Sequence, residues 1–284
     1  MSRIVYVNGA YLAEEEAKIS VFDRGFLMAD GVYEVTSVLD GKMLDFAGHL
    51  ARLRRSLDAL DMPSPADDAE IEAIHREVMV RNALTEGMIY MQITRGAADR
   101  DFAWPENPEP SLVLFTQARD LRNPATVEHG LKVATTPDIR WGRRDIKTVQ
   151  LLAPSMCKMA ARASGADDAW MVEDGLVTEG TSNNAYIVTA EGTIVTRNLS
   201  NRLLHGITRA AVLRYAREAQ IKVEERPFTV EEAKRATEAF VTAASSFVTP
   251  VIAVDGAPIG SGSPGPVAKR LREIYIYESL KTGI

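Results

Sequence analysis

The sequence predicts an α+β protein whose sheets are largely antiparallel or mixed. Strand-like segments outnumber helical ones, and most are joined by short turns rather than by the long crossovers that parallel pairs need. Asn8-Gly9 and Asp40-Gly41 each separate two apolar segments, and such dipeptides supply the positive φ angles of tight hairpins. A doubly wound parallel sheet is therefore not expected.

Residues 1–120 are predicted to form a small N-terminal α+β domain. Apolar residues at helical spacing predict one helix over 47–60 and a second over 68–84, ended by Glu86-Gly87. Two strand patterns follow, at 88–96 and 111–118, and the irregular segment 97–110 separates them.

Residues 121–130 are predicted to be an interdomain linker, because periodicity is lost there and a proline interrupts the segment. Residues 131–284 are then predicted to form a larger domain. Its turn signals are Asp174-Gly175, Glu191-Gly192 and Asp255-Gly256, and its last helix is expected from about Pro264 to Leu280.

Composition excludes several classes of protein. The chain has 284 residues, of which 46% are hydrophobic and 25% charged, as in ordinary globular proteins. A net charge of −6 without a basic stripe argues against a nucleic-acid partner. The single Cys157 cannot form an internal disulfide and suits a reducing compartment. No segment approaches ~18 uninterrupted apolar residues, and the amino terminus does not resemble a signal peptide. We therefore expect a cytoplasmic protein without a membrane partner.

Common nucleotide and metal motifs are absent from the sequence. There is no G-x-G-x-x-G after a strand, no P-loop lysine motif, no H-E-x-x-H and no paired C-x-x-C. The segment "GTSNN" is not a G-x-S-x-G elbow, so a serine-hydrolase triad has no support. No metal ligands are predicted.

Lys147 stands out because its neighbours are apolar. Ile146, Val149, Leu151 and Leu152 all look destined for an interior. Burial of an ammonium is costly and shifts its pKa toward the neutral amine. Two interpretations are open: a lysine that reaches the surface from a strand end, or an amine kept nucleophilic.

Other polar residues beside strand or helix ends are also candidates. Arg52 lies on a leucine-rich helix, where the alternative is an ordinary solvated face. Residues 178–184, "TEGTSNN", follow a strand and would otherwise be a plain turn. Gly206, Ile207 and Thr208 begin a helix, where free amides favour an anion such as phosphate, although Thr208 would also serve as an N-cap alone.

Taken in order, six segments resemble the fold-type IV pyridoxal-phosphate aminotransferases. They are "DRGFLMADGVYEV", "HLARL", "QITRG", "DIRWGRRDIKTVQLL", "VTEGTSNNAYIV" and "HGITR". The resemblance covers nearly the whole chain and is strongest to D-amino-acid (D-alanine) transaminases. It implies two domains, a homodimer and pyridoxal 5′-phosphate as cofactor.

The resemblance also implies roles for individual residues. Lys147 would bind the cofactor aldehyde covalently and carry the proton at the substrate Cα. Glu179 would face the pyridine nitrogen. Arg52 would hold the phosphate together with Ile207 and Thr208, and Leu204 would pack on the ring. Tyr33 and Arg100 would lie on the substrate side, with Arg100 taking the substrate carboxylate. The remaining implied cofactor contacts are Ser182, Ala243 and Ala244.

Two departures from the family pattern matter. Familiar D-amino-acid transaminases have R-x-H where this chain has Arg100-Asp101-Phe102, so the histidine partner of the carboxylate-binding arginine is absent. Ala243 and Ala244 replace residues that often supply hydroxyls to the phosphate; backbone amides or Ser245 would have to substitute.

The expected activity is transamination between a D-amino acid and a 2-oxo acid such as pyruvate or 2-oxoglutarate. The alternatives are an (R)-amine or branched-chain aminotransferase, or an aminodeoxychorismate lyase. Residues 97–110 have the character of a loop that closes a neighbour's active site in a dimer, with Phe102 and Trp104 as apolar anchors.

Overall fold

The computed structural model describes residues 2–284, and they divide into two compact units. The first contains the residues up to Asp120 together with Ile146–Gln150 and Thr282–Ile284. The second contains Leu121–Asp145 and Leu151–Lys281. The expected domains 1–120 and 131–284 are continuous, so the packing differs from that expectation at two short segments. The segment 121–130, expected as a linker, lies in the second unit and includes a short helix.

The first unit is built on an antiparallel sheet with the order β2-β1-β6-β5-β3-β4. Its strands are β1 (Ile4–Val7), β2 (Ala10–Ala13), β3 (Gly31–Leu39), β4 (Lys42–Met43), β5 (Gly87–Thr94) and β6 (Ser111–Ala118). Its helices are α1 (Arg24–Met28), α2 (Phe46–Asp58) and α3 (Asp68–Arg81). The two longer helices are those that the leucine and isoleucine spacing predicts.

The core of the first unit forms where α2 and α3 pack on the sheet. Alternating residues of β5, such as Ile89 and Ile93, are fully buried, and so are Leu53 of α2 and Ile71 of α3. Apolar burial of this kind contributes about 25 cal/mol per Å² and is the main stabilising term. Ile146 belongs to the same cluster, although it is distant in sequence.

The second unit contains a mixed sheet with the order β12-β11-β10-β13-β14-β7-β8-β9, and β15 pairs with β14. The strands are β7 (Leu131–Pro137), β8 (Asp168–Glu173), β9 (Leu176–Gly180), β10 (Asn184–Val188), β11 (Ile194–Thr196), β12 (Val223–Glu225), β13 (Glu238–Ala243), β14 (Phe247–Val254) and β15 (Ala257–Pro258). The helices are α4 (Ala125–His129), α5 (Leu152–Ala163), α6 (Ile207–Glu218), α7 (Val230–Lys234) and α8 (Pro266–Thr282).

Strand directions in this sheet confirm the predicted mixed character. The pairs β11–β12, β14–β7 and β7–β8 are parallel, and the remaining pairs are antiparallel. The parallel pair β7–β8 is connected through α5, as such a pair requires. The predicted α+β class is therefore confirmed.

Tight hairpins occur at the predicted dipeptides. Asp174 and Gly175 have φ values of 55° and 75°, and they join β8 to β9 with Glu173 opposite Leu176. Asn8-Gly9, Asp40-Gly41 and Asp255-Gly256 have the same pair of positive φ values. Two successive positive φ angles define the turn that matches the twist of a hairpin.

The segment 146–150 joins the first unit because it pairs with the start of β3, which β4 does not reach. Thr148 forms an antiparallel bridge with Val32, and the Val149 amide donates to the Gly31 carbonyl at 3.1 Å. Beyond the segment, the expectation of burial is wrong for two residues. Leu151 and Leu152 are 39% and 75% exposed because they begin α5 on its outer face.

Within residues 2–284, no helix is long and apolar enough to cross a membrane.

Two valines on α3 allow the contribution of core packing to be measured. Val78 is fully buried, and Val80 is 70% exposed. Val78→Ala should lower the free energy of unfolding by about 2 kcal/mol, because it removes buried methyl groups and leaves a cavity. Val80→Ala serves as the matched control, since both changes alter helix propensity equally. Urea titrations in which both variants shift alike would contradict this account of the core.

Candidate functional site

Lys147 is presented by the short pairing between its segment and β3. Its carbonyl accepts from the Tyr33 amide at 3.0 Å, and its own amide donates to Ser56 Oγ of α2 at 3.4 Å. The Nζ atom lies 3.9 Å from the centroid of the Tyr33 ring. The half-buried amine is therefore held over an aromatic face, which attracts a cation but does not neutralise it as a carboxylate would.

Tyr33 is held in turn by an aromatic stack on the same sheet. Its ring lies 5.5 Å from that of Tyr90, which lies 4.8 Å from Phe115. These residues come from β3, β5 and β6, which are neighbours in the sheet. Burial raises the pKa of the Tyr90 hydroxyl, which donates to Gln92 Oε1 at 2.8 Å. The ring beneath Lys147 is thus fixed by cross-strand packing.

Arg52 lies on the inner face of α2, so the alternative of a solvated helix face is wrong. It is only 6% exposed. Its Nε and Nη2 atoms donate to the two carboxylate oxygens of Glu34, at 2.8 and 2.6 Å. His49 Nδ1 lies 2.7 Å from Glu34 Oε2. Burial opposes ionisation of Glu34, but the Arg52 guanidinium prevails and lowers the pKa of Glu34 to about 2.

Arg100 and Phe102 lie together on the segment between β5 and β6. The Arg100 guanidinium carbon is 5.6 Å from the centroid of the Phe102 ring. Arg100 is exposed, and Phe102 is 83% exposed. The structure therefore places this pair at a surface, without packing Phe102 against Tyr33 or Lys147 in the part of the chain that it describes.

In the second unit, Glu179 is a buried carboxylate at the end of β9. Arg140 Nη1 donates to its Oε1 at 2.5 Å, and Asn184 Nδ2 donates to its Oε2 at 3.0 Å. The Leu204 amide lies 3.1 and 3.2 Å from the two oxygens. Glu179 is 3% exposed. Burial raises the pKa of its carboxyl, and the Arg140 guanidinium opposes that shift.

Arg140 connects Glu179 to a second buried carboxylate, Asp138. Its Nε and Nη2 atoms donate to Asp138 at 2.9 and 2.7 Å, and Thr178 Oγ1 donates to the same carboxylate at 2.7 Å. Burial again opposes ionisation, but the Arg140 hydrogen bonds keep the pKa of Asp138 below its ordinary value. They also raise the pKa of Arg140 against the effect of its burial. The planar guanidinium thus orients both carboxylates.

Asn184 brings several of the predicted residues together. Its amide donates to the Leu204 carbonyl at 3.0 Å as well as to Glu179. A Cβ atom on Gly206 would collide with the Asn184 side chain, so glycine is required for the close approach at the start of α6. Asn184 also pairs with Thr242, next to Ala243, in the β10–β13 ladder. The start of α6 and the end of β13 are both therefore adjacent to the residue that holds Glu179.

Ile207 and Thr208 occupy the first positions of α6, and Gly206 is its N-cap. Thr208 is buried inside the first turn, so the alternative in which it is only an N-cap is wrong. The first amides of a helix have no partner within the helix, and its dipole favours an anion there. The start of α6 is consequently able to bind a phosphate group.

The turn after Glu179 is more than a plain connection, because a buried carboxylate holds it. Asp168 accepts from Thr181 Oγ1 at 2.5 Å and from Asn183 Nδ2 at 2.8 Å. Ser182 lies between these two residues and is exposed. Ala243 and Ala244, at the end of β13, are half-buried.

Sequence reasoning missed Glu34, Arg140 and Asn184. All three are polar residues in or beside buried strands, and the motifs quoted above contain them. Arg140 stands two residues after Asp138, a spacing that suits the ion pair they form at 2.7 Å. Their partners are distant in sequence, however, so the pairing itself is visible only in the fold.

Across the described residues, no cluster of three or more histidine, cysteine or acidic side chains has the arrangement of a metal site. Cys157 is 4% exposed on α5, in agreement with the expectation of a packed thiol.

Comparison with known proteins adds a family. Residues 31–254 match the model of the family described as amino-transferase class IV. The D-alanine aminotransferase of Staphylococcus aureus (strain N315) is 36% identical over 270 residues, which cover 95% of this chain and 95% of that protein. That of Bacillus licheniformis is 35% identical, covering 98% of this chain and 99% of the relative.

A solved structure agrees over the whole chain. The branched-chain amino acid aminotransferase of T.th., complexed with N-(5′-phosphopyridoxyl)-L-glutamate, has a TM-score of 0.89 and 28% identity. The match covers 99% of this chain and 95% of that one.

The buried Glu34 carboxylate should make stability depend on pH. Because its pKa is lowered on folding, it stabilises the protein above its ordinary value of 4.5, and this contribution is lost as pH falls toward about 2. Glu34→Gln should cost about 3–5 kcal/mol at pH 7, since it leaves Arg52 buried without its charge partner. The difference from the parent should shrink below pH 4.5.

The control is Glu77→Gln on α3, which removes an exposed ion pair with Arg81 and should cost less than about 1 kcal/mol. Chemical denaturation at several pH values measures both variants. A pH-independent difference for Glu34→Gln would contradict the account.

Proposed function

The chain belongs to the class IV aminotransferases, and from this premise we propose that it transfers the amino group of a D-amino acid to a 2-oxo acid. Its cofactor is pyridoxal 5′-phosphate, consistent with the phosphopyridoxyl compound in the T.th. structure. D-alanine is proposed as a donor because D-alanine aminotransferases are 35–36% identical over nearly the full chain. Pyruvate and 2-oxoglutarate are the proposed acceptors.

The structural observation that carries the proposal is the buried Glu179 carboxylate. A carboxylate has about four acceptor positions, and the donors to Glu179 from Arg140, Asn184 and the Leu204 amide permit one more. Burial disfavours the charged form of Glu179, so an additional cationic donor would stabilise it. A protonated pyridine nitrogen is such a donor, and the residues therefore fit this cofactor.

Lys147 is the proposed catalytic residue. When bound, pyridoxal phosphate supplies an electron sink for the electron pair left at the substrate Cα. Lys147 Nζ removes the proton from that carbon as a general base and returns it as a general acid during the transfer. Tyr33, in contact with Nζ at 3.9 Å from its ring centroid, restricts where the amine can move.

The start of α6 is proposed to hold the cofactor phosphate through the Ile207 and Thr208 amides. Arg52 is proposed to add a cationic contact, with Glu34 fixing the plane of its guanidinium. Leu204 is proposed to pack against the ring, since its amide is already fixed on Glu179. The turn at Ala243 and Ala244 offers backbone amides to the phosphate, and Ser182 remains a proposed contact through its turn.

Arg100 is proposed to bind the substrate carboxylate, and Phe102 to favour apolar substituents. With phenylalanine in place of a polar partner, one hydrogen-bond donor to the carboxylate is lost. Such a loss is worth about 1.5–3 kcal/mol, or roughly ten- to a hundred-fold in specificity. This observation keeps a second candidate in view, turnover of simple (R)-amines that have no carboxylate.

A homodimer is also proposed, supported by the exposed apolar face of α5. Leu152, Met156 and Met159 recur at helical spacing and are 75%, 55% and 61% exposed. A contiguous apolar stripe of this kind is typical of a protein interface. Phe102 and Trp104, also exposed, add a second apolar surface that fits the proposed role of the 97–110 loop.

The covalent role of Lys147 can be tested by borohydride reduction. Reduction should fix the cofactor on the peptide that contains Lys147, and Lys147→Ala should abolish transamination because no amine remains to move the Cα proton. Lys158→Ala on α5 is the control, since Lys158 forms an ion pair with Asp168 at 3.2 Å. Mass-spectrometric labelling of Lys158 instead of Lys147 would refute the assignment.

The donor class is tested with a panel of both enantiomers of amino acids, together with (R)-amines, against pyruvate and 2-oxoglutarate. We expect activity on D-alanine and larger apolar D-amino acids, weak activity on D-aspartate and D-glutamate, and slower turnover of (R)-amines. Arg100→Ala should reduce kcat/KM for D-amino acids by at least about ten-fold while affecting (R)-amines little. Phe102→His should favour carboxylate-bearing donors. Strong preference for L-leucine in the parent would instead favour the branched-chain alternative.

The oligomeric state is tested by sedimentation analysis. Met156→Glu should shift a dimer toward monomer, because it places a charge in an apolar interface. Arg162→Glu on the exposed polar side of α5 is the control and should leave the dimer intact. A parent protein that is monomeric and fully active would contradict the proposal.

A further inference from the structure

A buried pair of arginines lies beneath the loop that carries Arg100. Arg24, at the start of α1, is 3% exposed, and Arg95, at the end of β5, is 1% exposed. Both donate through Nε to Asp30 Oδ2, at 2.7 and 2.8 Å. One carboxylate therefore serves two buried cations, and the remaining guanidinium donors have to find neutral acceptors.

The remaining donors of Arg24 bind the main chain on both sides of Phe102. Arg24 Nη1 lies 2.7 Å from the Asp101 carbonyl and 3.3 Å from the Ala103 carbonyl. The Ala103 amide donates to Asp101 Oδ1 at 3.1 Å, which closes a local turn over the same residues. One guanidinium thus fixes the backbone immediately after Arg100.

Arg95 holds the loop at a second point and ties it to the body of the first unit. Its guanidinium carbon lies 4.1 Å from the centroid of the Trp104 ring. Its Nη1 and Nη2 atoms donate to the Asp61 and Leu60 carbonyls, at 3.1 and 2.8 Å. The loop end that carries Phe102 and Trp104 is therefore held by two side chains that share Asp30.

We infer that Arg24 is a positioning residue that sets the carboxylate selectivity of the enzyme. The inference rests on the proposed function, in which Arg100 binds the substrate carboxylate. Arg100 and Phe102 are exposed, so their own packing does little to restrict them. The main-chain hydrogen bonds from Arg24 supply that restriction, and only donors that use Arg100 depend on it.

The test compares Arg24→Lys with the parent enzyme. Lysine keeps a positive charge beside Asp30, but it cannot reach Asp30 and both carbonyls in the fork geometry of arginine. KM for D-alanine should rise about ten-fold while kcat changes less than three-fold. For (R)-amine donors, kcat/KM should change less than two-fold. Arg3→Met is the control, because Arg3 donates to the Thr116 carbonyl rather than to the loop.

Hydrogen–deuterium exchange provides a readout that does not depend on activity. Amides of residues 99–104 should exchange about ten times faster in Arg24→Lys and at the parent rate in Arg3→Met. Faster exchange without the selective rise in KM would overturn the inference, and so would equal losses for both donor classes. If the parent protein does not accept D-amino acids, the proposed function fails. Exchange then decides the positioning role alone: acceleration supports it and an unchanged rate overturns it.

Discussion

The ionisation of one buried carboxylate, Glu179, is the constraint around which the second unit is arranged. A carboxylate with 3% exposure is costly unless donors replace water. Three elements supply them: the segment after β7 through Arg140, the start of β10 through Asn184, and the Leu204 main chain before α6. Each of these elements is fixed in space by its contact with the same two oxygens.

The arrangement also explains why Gly206 and Asp138 are needed. Asn184 reaches both Glu179 and the Leu204 carbonyl only if the chain at residue 206 has no side chain. Arg140 can neutralise Glu179 without becoming a buried excess cation because Asp138 binds its other edge. Removal of one member would leave a neighbouring polar group unpaired, which costs more than the lost bond itself.

Local patterns predicted much of the fold. Helix spacing located α2 and α3, and the Asn-Gly and Asp-Gly dipeptides located hairpins, because these features depend on neighbours in sequence. Leu151 and Leu152 were misjudged since an apolar run does not reveal which face of a helix is covered. The resemblance named Lys147 and Glu179, but the partners Glu34, Arg140 and Asn184 required knowledge of which strands adjoin. The assigned roles of the site residues remain predictions.

The pairing of residues 146–150 with β3 has a consequence for the order of events during synthesis. Ile146 is part of the core of the first unit, and Thr148 bridges to Val32. When the first 120 residues have left the ribosome, the edge of β3 and a piece of that core are still missing. The early unit therefore has to wait for about thirty more residues, with an open strand edge that chaperones can recognise. The residue proposed for catalysis thus arrives on the segment that completes the fold of the first unit.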